Sequence, residues 1–242
     1  MGGAAGFVGG LLGVGGGLIL VPGLVWAAAL DRHTATGTSL LAILPVAVVA
    51  TAAYALGLGE AFDARASAAV VVGSLAGAVV GARLNARFSE RGLRLAFALF
   101  SLAIGLRLVV PAGLGPGSEI ILGPSVVALL VALGLVGGVL AGLLGVGGSL
   151  IVIAVMVLAL DTSQVLAQGV AFAAVIPTSI VGAMSHYRLG SLAPRAALWT
   201  GLAGGAAAVP GVLAAFALPA PALRTIFGAF LILSAGRTLR AL

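Results

Sequence analysis

Two short stretches of this chain could do chemistry through bare backbone. "GLLGVGGGLIL" occupies residues 10–20 and "GLLGVGGSLIV" residues 142–152, with nine of eleven positions identical at an offset of 132. Glycine is costly inside a helix and leaves its peptide groups open to approach. Each cluster lies between runs of Leu, Val and Ile, so "GVGGG" and "GVGGS" predict broken helices. The break frees amide N–H groups at the start of the following arm, at Leu18 or Leu150. A helix start has free donors and a partial positive charge, and it attracts anions. The cluster lacks the last glycine of a dinucleotide fingerprint and follows an apolar helix rather than a strand, which argues against nucleotide binding.

Polar residues downstream fit the same chemistry. "GTSLLAILP" supplies Thr38, Ser39 and Pro45, and "QGVAFAAVIPTS" supplies Gln168, Pro177, Thr178 and Ser179. Hydroxyls and amides can hold the oxygens of an oxyanion without a full charge. A single hydroxyl could equally bond the carbonyl one turn back; as a cluster they favour a ligand role. Pro45 and Pro177 lie inside apolar runs, where proline removes a helical hydrogen bond. Tyr54 and His186 occupy matched positions. His186 could carry a coupling proton, since imidazole titrates near neutral pH, or it could be an interface residue. These four are candidates for gating or coupling. Asp31, Glu60, Asp63, Glu90, Glu119 and Asp161 all fall in loops or at helix ends. A carboxylate relay, a buried cation site or a metal site is therefore not expected.

The elements that must position these residues are membrane helices. Of 242 residues, 62% are hydrophobic and 7% charged, and the mean hydropathy is +1.29. A soluble domain carries about a quarter charged residues. Apolar runs long enough to cross a bilayer recur along the chain. The reading is an all-α polytopic membrane protein; barrel strands alternate over about ten residues, and this chain does not. The net charge of +6 comes from arginine without lysine, placed between or at the ends of apolar runs. That fits orientation and snorkelling, not the solvated basic face that a nucleic-acid partner requires. The absence of cysteine excludes disulfides, thiolate metal sites and a cysteine nucleophile. No cleavable signal is apparent.

The halves match beyond the glycine clusters. Gly37 pairs with Gly169 and Pro45 with Pro177 at the offset of 132; Leu93, Arg94, Phe97 and Arg107 pair with Leu223, Arg224, Phe227 and Arg237 at an offset of 130. This predicts two homologous repeats, 1–110 and 124–242, joined by a Pro/Gly-rich linker at 111–123. Each has a first helix (2–12; 124–144), a short arm (18–30; 150–160) and three spans (36–56, 64–83 and 93–109; 165–186, 194–218 and 223–239). The first unit is short at its N-terminus beside its partner (2–12 against 124–144), which suggests a trimmed start. Glycines spaced by four, at 2, 6 and 10, at 73, 77 and 81, and at 134, 138 and 142, predict close helix packing in lipid.

The arginines speak to orientation. If each broken segment crosses once, they divide evenly between the two sides. If it turns back, Arg32, Arg83, Arg87, Arg91, Arg94, Arg188, Arg195, Arg237 and Arg240 share the side of both termini, against Arg65, Arg107 and Arg224. The positive-inside rule favours the second arrangement. The expectation is inverted repeats with cytoplasmic termini and the two breaks meeting near the midplane on one shared pocket.

The twin "GLLGVGGG/S" motifs, the "GTSLLAILP" block and units ending in "LRLAFALFSLAIGLRL" resemble the TauE/SafE sulfite exporter family over nearly the whole chain. The resemblance implies a secondary carrier of sulfite, thiosulfate or organosulfonates in the bacterial cytoplasmic (inner) membrane, without ATPase machinery or cofactor. Carried over by motif, the substrate-binding residues are Gly13, Gly15, Gly16 and Gly17, then Gly145, Gly147, Gly148 and Ser149, with Thr38 and Ser39. The chain departs from strict repetition at Ser149, and at "QGVAF", which lacks the hydroxyl pair of "GTSLL". Expected partners are a small anion and the bilayer, with room for a homo-oligomer. The rival readings are an intramembrane hydrolase, with Ser149 as nucleophile and His186 as base, and a non-transporting membrane scaffold.

Overall fold

A computed structural model describes residues 1–56, 62–84, 90–110, 120–144 and 148–240. Its ten helices are α1 (Gly2–Leu12), α2 (Gly17–Ala27), α3 (Arg32–Leu56), α4 (Ala64–Leu84), α5 (Glu90–Val109), α6 (Pro124–Leu144), α7 (Ser149–Ala159), α8 (Gln164–Arg188), α9 (Pro194–Ala217) and α10 (Ala220–Arg240). No strand occurs among the described residues. Seven helices (α3, α4, α5, α6, α8, α9 and α10) are long and apolar enough to cross a membrane, while α1, α2 and α7 are 11 residues each.

The helix interrupted at the first glycine cluster turns back. A Cβ on Gly9 would lie 2.9 Å from the Gly16 nitrogen, and one on Gly23 would lie 2.5 Å from Met1 Sδ. So α2 retraces α1. In the second half, a Cβ on Gly137 would lie 3.0 Å from the Gly148 carbonyl oxygen and 3.4 Å from Val152, so α7 retraces α6. Both returning arms end alike. The Leu30 amide reaches back to the Leu24 carbonyl (3.4 Å) and the Thr162 amide to that of Met156 (3.2 Å). Between them sit Ala29 and Asp161, the two non-glycine residues with positive φ among the described residues. Each of these carbonyls already accepts the amide four residues on (Ala28, Leu160), and the second bond, from six residues on around the left-handed residue, folds the chain back over the helix end.

The next helices are capped at matched positions. Asp31 Oδ1 accepts the Thr34 and His33 amides at the start of α3, and Ser163 Oγ accepts the Leu166 amide at the start of α8. Thr34 and the His33 amide hold the Asp31 carboxyl below its ordinary range.

Contacts across the halves are reciprocal. The first helix of each packs on the fourth of the other (α1 on α9, α6 on α4), α3 packs on α9 as α8 does on α4, and α5 meets α10. Small residues permit the approach. A Cβ on Gly2, Gly6 or Gly10 would strike Thr200, Gly204 or Ala208, and one on Gly73, Gly77 or Gly81 would strike Val131, Leu135 or Val139. Lipid tails supply no hydrophobic drive between helices, so this backbone-to-backbone contact carries the association. Both sets of contacts advance together, so α1 runs parallel to α9 and α4 to α6.

The two long helices α3 and α8 run antiparallel: His33 lies beside His186, Gly182 faces Leu40, and Tyr54 meets Gln168. Pro45 and Pro177 lie within them without ending either helix.

Candidate functional site

Residues 12–17 form a buried turn between α1 and α2. Gly13 caps α1 with φ 77°, Gly15 follows at φ 63°, and Gly16 caps the start of α2 at φ 80°. Side chains resist this left-handed region, and a Cβ on Gly16 would also lie 2.7 Å from the Ala5 carbonyl oxygen. Val14, between Gly13 and Gly15, is not left-handed, while Gly15 and Gly16 are left-handed in succession. The Gly13 amide is already given to the Gly9 carbonyl at 2.8 Å, so the amides that this turn can offer an anion are those beyond it. No side chain caps the α2 start, so its first-turn amides have no partner from that source. Gly148 repeats the arrangement at the start of α7, with φ 59° and no side-chain cap. Its Cβ would strike the Gly137 carbonyl. Gly145 and Gly147 lie outside the described residues.

The turn rests where α3 and α8 cross. A Cβ on Gly15 would meet Ile43 Cγ2 at 3.1 Å and Val175 Cγ1 at 3.5 Å; one on Gly13 would meet Gln168 Cγ at 2.6 Å and Ile153 Cδ1 at 2.7 Å. Apolar side chains thus stand directly over Gly15.

The predicted polar residues separate into distinct roles. Ser39, Ser149 and Ser179 are buried with no hydrogen-bond partner for their hydroxyls. A buried hydroxyl left unpaired costs about 1–3 kcal/mol, and those of Thr51, Ser67, Ser101 and Thr162 are in the same state. Thr178 donates to carbonyls of its own helix, Ala174 at 3.1 Å and Val175 at 3.0 Å. Thr38 accepts the Ala193 amide at 3.0 Å and ties α3 to the start of α9. Gln168 is engaged on both sides: its Oε1 accepts from Tyr54 (2.8 Å), and its Nε2 donates to the Leu11 carbonyl (3.1 Å). The Tyr54 hydroxyl also approaches the Gly10 carbonyl at 3.4 Å. Together they hold the carbonyl end of broken helix α1, which its own backbone cannot satisfy. Pro45 packs against Gly201 of α9, and Pro177 is half-buried within α8.

His186 sits at the far end of α8. Its Nδ1 lies 3.0 Å from Ser191 Oγ, and its ring lies 4.9 Å from that of His33. The bond that a hydrolase needs is not made, since the Ser149 hydroxyl has no partner. Sequence reading missed the Ile43–Val175 wall, the clamp of Tyr54 and Gln168 on α1, and His33 with Ser191 beside His186. These contacts join residues far apart in the chain, and an apolar or lone polar residue signals none of them. Arg224, expected at a helix end, is buried in α10.

Comparison with known proteins agrees with the helical architecture. The family model for "Sulfite exporter TauE/SafE" matches residues 1–108 and 130–242. The chain is 29% identical over 205 residues to the "Probable membrane transporter protein YunE" of Bacillus subtilis (strain 168), covering 75% of this chain and 74% of that protein. No solved structure matches it. With this match along nearly its whole length, the multi-pass helical chain belongs to the TauE/SafE sulfite exporter family of membrane transporters.

Proposed function

We propose that this chain is a secondary carrier of a small sulfur-containing anion, with sulfite the leading candidate and thiosulfate and organosulfonates next. The observation that carries the reading is the buried left-handed turn at Gly13–Gly16, which starts α2 without a side-chain cap. Ser39, Ser149 and Ser179, buried and unpartnered on α3, α7 and α8, supply neutral donors of the kind an oxyanion takes. We assign the binding role to the amides of Gly15, Gly16 and Gly17, to their counterparts at Gly147 and Gly148, and to these serines; Gly13, whose own amide is given to the Gly9 carbonyl at 2.8 Å, shapes the turn. Thr38, Thr178 and Gln168 support the helices around the site.

The chain divides into two inverted repeats, 1–110 and 124–242, in a bacterial cytoplasmic membrane with both termini inside. The antiparallel run of the equivalent helices α3 and α8 and the reciprocal packing of first on fourth helices support the inversion. The arginine bias supports the orientation.

The test is flux into proteoliposomes of sulfite, thiosulfate, sulfate and short sulfonates, with proton and sodium gradients imposed in turn. Sulfite flux in the wild type, reduced at least about 100-fold in Gly16→Val with helicity and insertion intact, is expected if close backbone approach binds the anion. Equal flux in Gly16→Val and Gly148→Val would remove the glycine turns from the pathway.

A further inference from the structure

One end of the α3–α8 pair is shut, and what shuts it titrates. Gly37 is pressed onto the tail of α8: a Cβ there would strike the Ser191 carbonyl and lie 2.5 Å from His186 Cβ. Thr38 Oγ1 accepts the Ala193 amide at 3.0 Å, which fastens α3 to the link between α8 and α9. His33, exposed in the first turn of α3, stacks obliquely on buried His186 at 4.9 Å between ring centroids. The other end differs. About 20 residues back along α8, roughly 30 Å for a helix, a cavity of about 600 Å³ opens, lined by Phe62, Asp63, Arg65, Ile120, Leu122 and Leu166 among others.

We propose that His33 and His186, with Ser191, form a proton-binding latch that holds this mouth of the carrier closed when neutral and releases it when protonated. The proposal rests on the carrier reading for its purpose but not for its geometry. The Ser191 hydroxyl has one hydrogen. Given to the His186 carbonyl at 3.3 Å, it leaves His186 Nδ1–H as donor in the 3.0 Å contact, so Nε2 is the nitrogen left to take a proton. Protonation of both rings places two like charges in contact.

Basic groups crowd this end. Arg32 lies at the start of α3, Arg188 in the last turn of α8 and Arg195 in the first turn of α9. Tyr187 also lies at the end of α8. The Asp31 carboxylate, at the start of α3, accepts the amides of His33 and Thr34 through Oδ1. Protons therefore favour the state in which the rings separate. Closure holds while the rings are neutral and is lost as they take up protons in acid.

The chain has no cysteine, so a single Ala183→Cys, one turn before His186, reports access to this mouth. An impermeant maleimide is applied to membrane vesicles of both orientations. With each rate divided by that of the same thiol in denatured protein at the same pH, which removes the loss of thiolate in acid, we expect labelling from one side to rise at least about tenfold from pH 8 to pH 5.5, the effect of one proton shifted by one pH unit. Thiolate chemistry alone runs the other way. In His33→Ala, an exposed position that tolerates truncation, and in His186→Gln, the acid response should fall below about twofold. An unchanged acid response in both variants, or no rise in the wild type, overturns the latch. Labelling needs no substrate: an intact acid response without sulfite flux upholds the latch and removes the carrier reading, whereas sulfite flux with pH-independent labelling removes the latch alone.

Discussion

The two ends of the α3–α8 pair are fastened by different chemistry. Tyr54 and His186 occupy matched positions 132 residues apart, and each reaches back to the start of the opposite long helix. Tyr54 is fully buried, bonded to Gln168 and flanked by Phe172 at 6.0 Å and Phe216 at 5.5 Å. His186 lies beside an exposed histidine and a serine at the edge of the helix bundle. A phenol and an amide keep one charge state across physiological pH; imidazoles do not. Two ends built on one plan have thus diverged into a fixed fastening and a titrating one, which is what a carrier needs if only one mouth is to answer protons.

Substitutions test that contrast. The largest effect belongs to Tyr54→Ala, which removes a fully buried ring and leaves Gln168 Oε1 without its donor. It should cost about 3–5 kcal/mol in SDS unfolding followed by circular dichroism. A cost under about 1 kcal/mol would show that this end is not held by the tyrosine. Gln168→Leu comes next, since it strands the Leu11 carbonyl; about 1–3 kcal/mol is expected. A double cycle with Tyr54→Phe should show the two coupled, because they share one bond.

Ser163→Ala, at the same end, removes the cap of α8 and should cost about 0.5–2 kcal/mol. The smallest change in stability is expected at the other end. His186→Gln should stay within about 1 kcal/mol of wild type at pH 8, yet it should flatten the dependence of the unfolding midpoint between pH 5 and 8. The Tyr54 variants should keep that dependence. If they lose it instead, the two ends are not chemically distinct.

Much of the fold was legible because membrane helices announce themselves one at a time. The long apolar runs marked the spans, and the glycines at 73, 77 and 81 marked a close-packed face that does meet a neighbour, α6. The glycine clusters marked the breaks, and Gly13, Gly15, Gly16 and Gly148 do hold left-handed backbone. The polar residues were harder to assign. Thr38 and Ser39 are adjacent in sequence, yet one caps a link and the other is left without a partner. Their hydroxyls leave the helix about 100° apart, and only the neighbours on each side decide the role. Gln168 looked like a ligand because a buried amide must bond to something; that it bonds to Tyr54 and Leu11 depends on helices 114 and 157 residues away in the chain.

What the sequence alone determined is local. Hydropathy set which segments leave water, glycine set where a helix could stop, and the repeated spacing marked matched positions in the two halves. These depend on each residue's own solvation and backbone freedom. What the tertiary structure decided is pairing: that α1 packs on α9, that Ile43 and Val175 close over Gly15, and that His33 comes to lie against His186. In lipid those contacts are chosen by shape and by unmet hydrogen bonds across separate helices, and neither can be read along a single strand of letters.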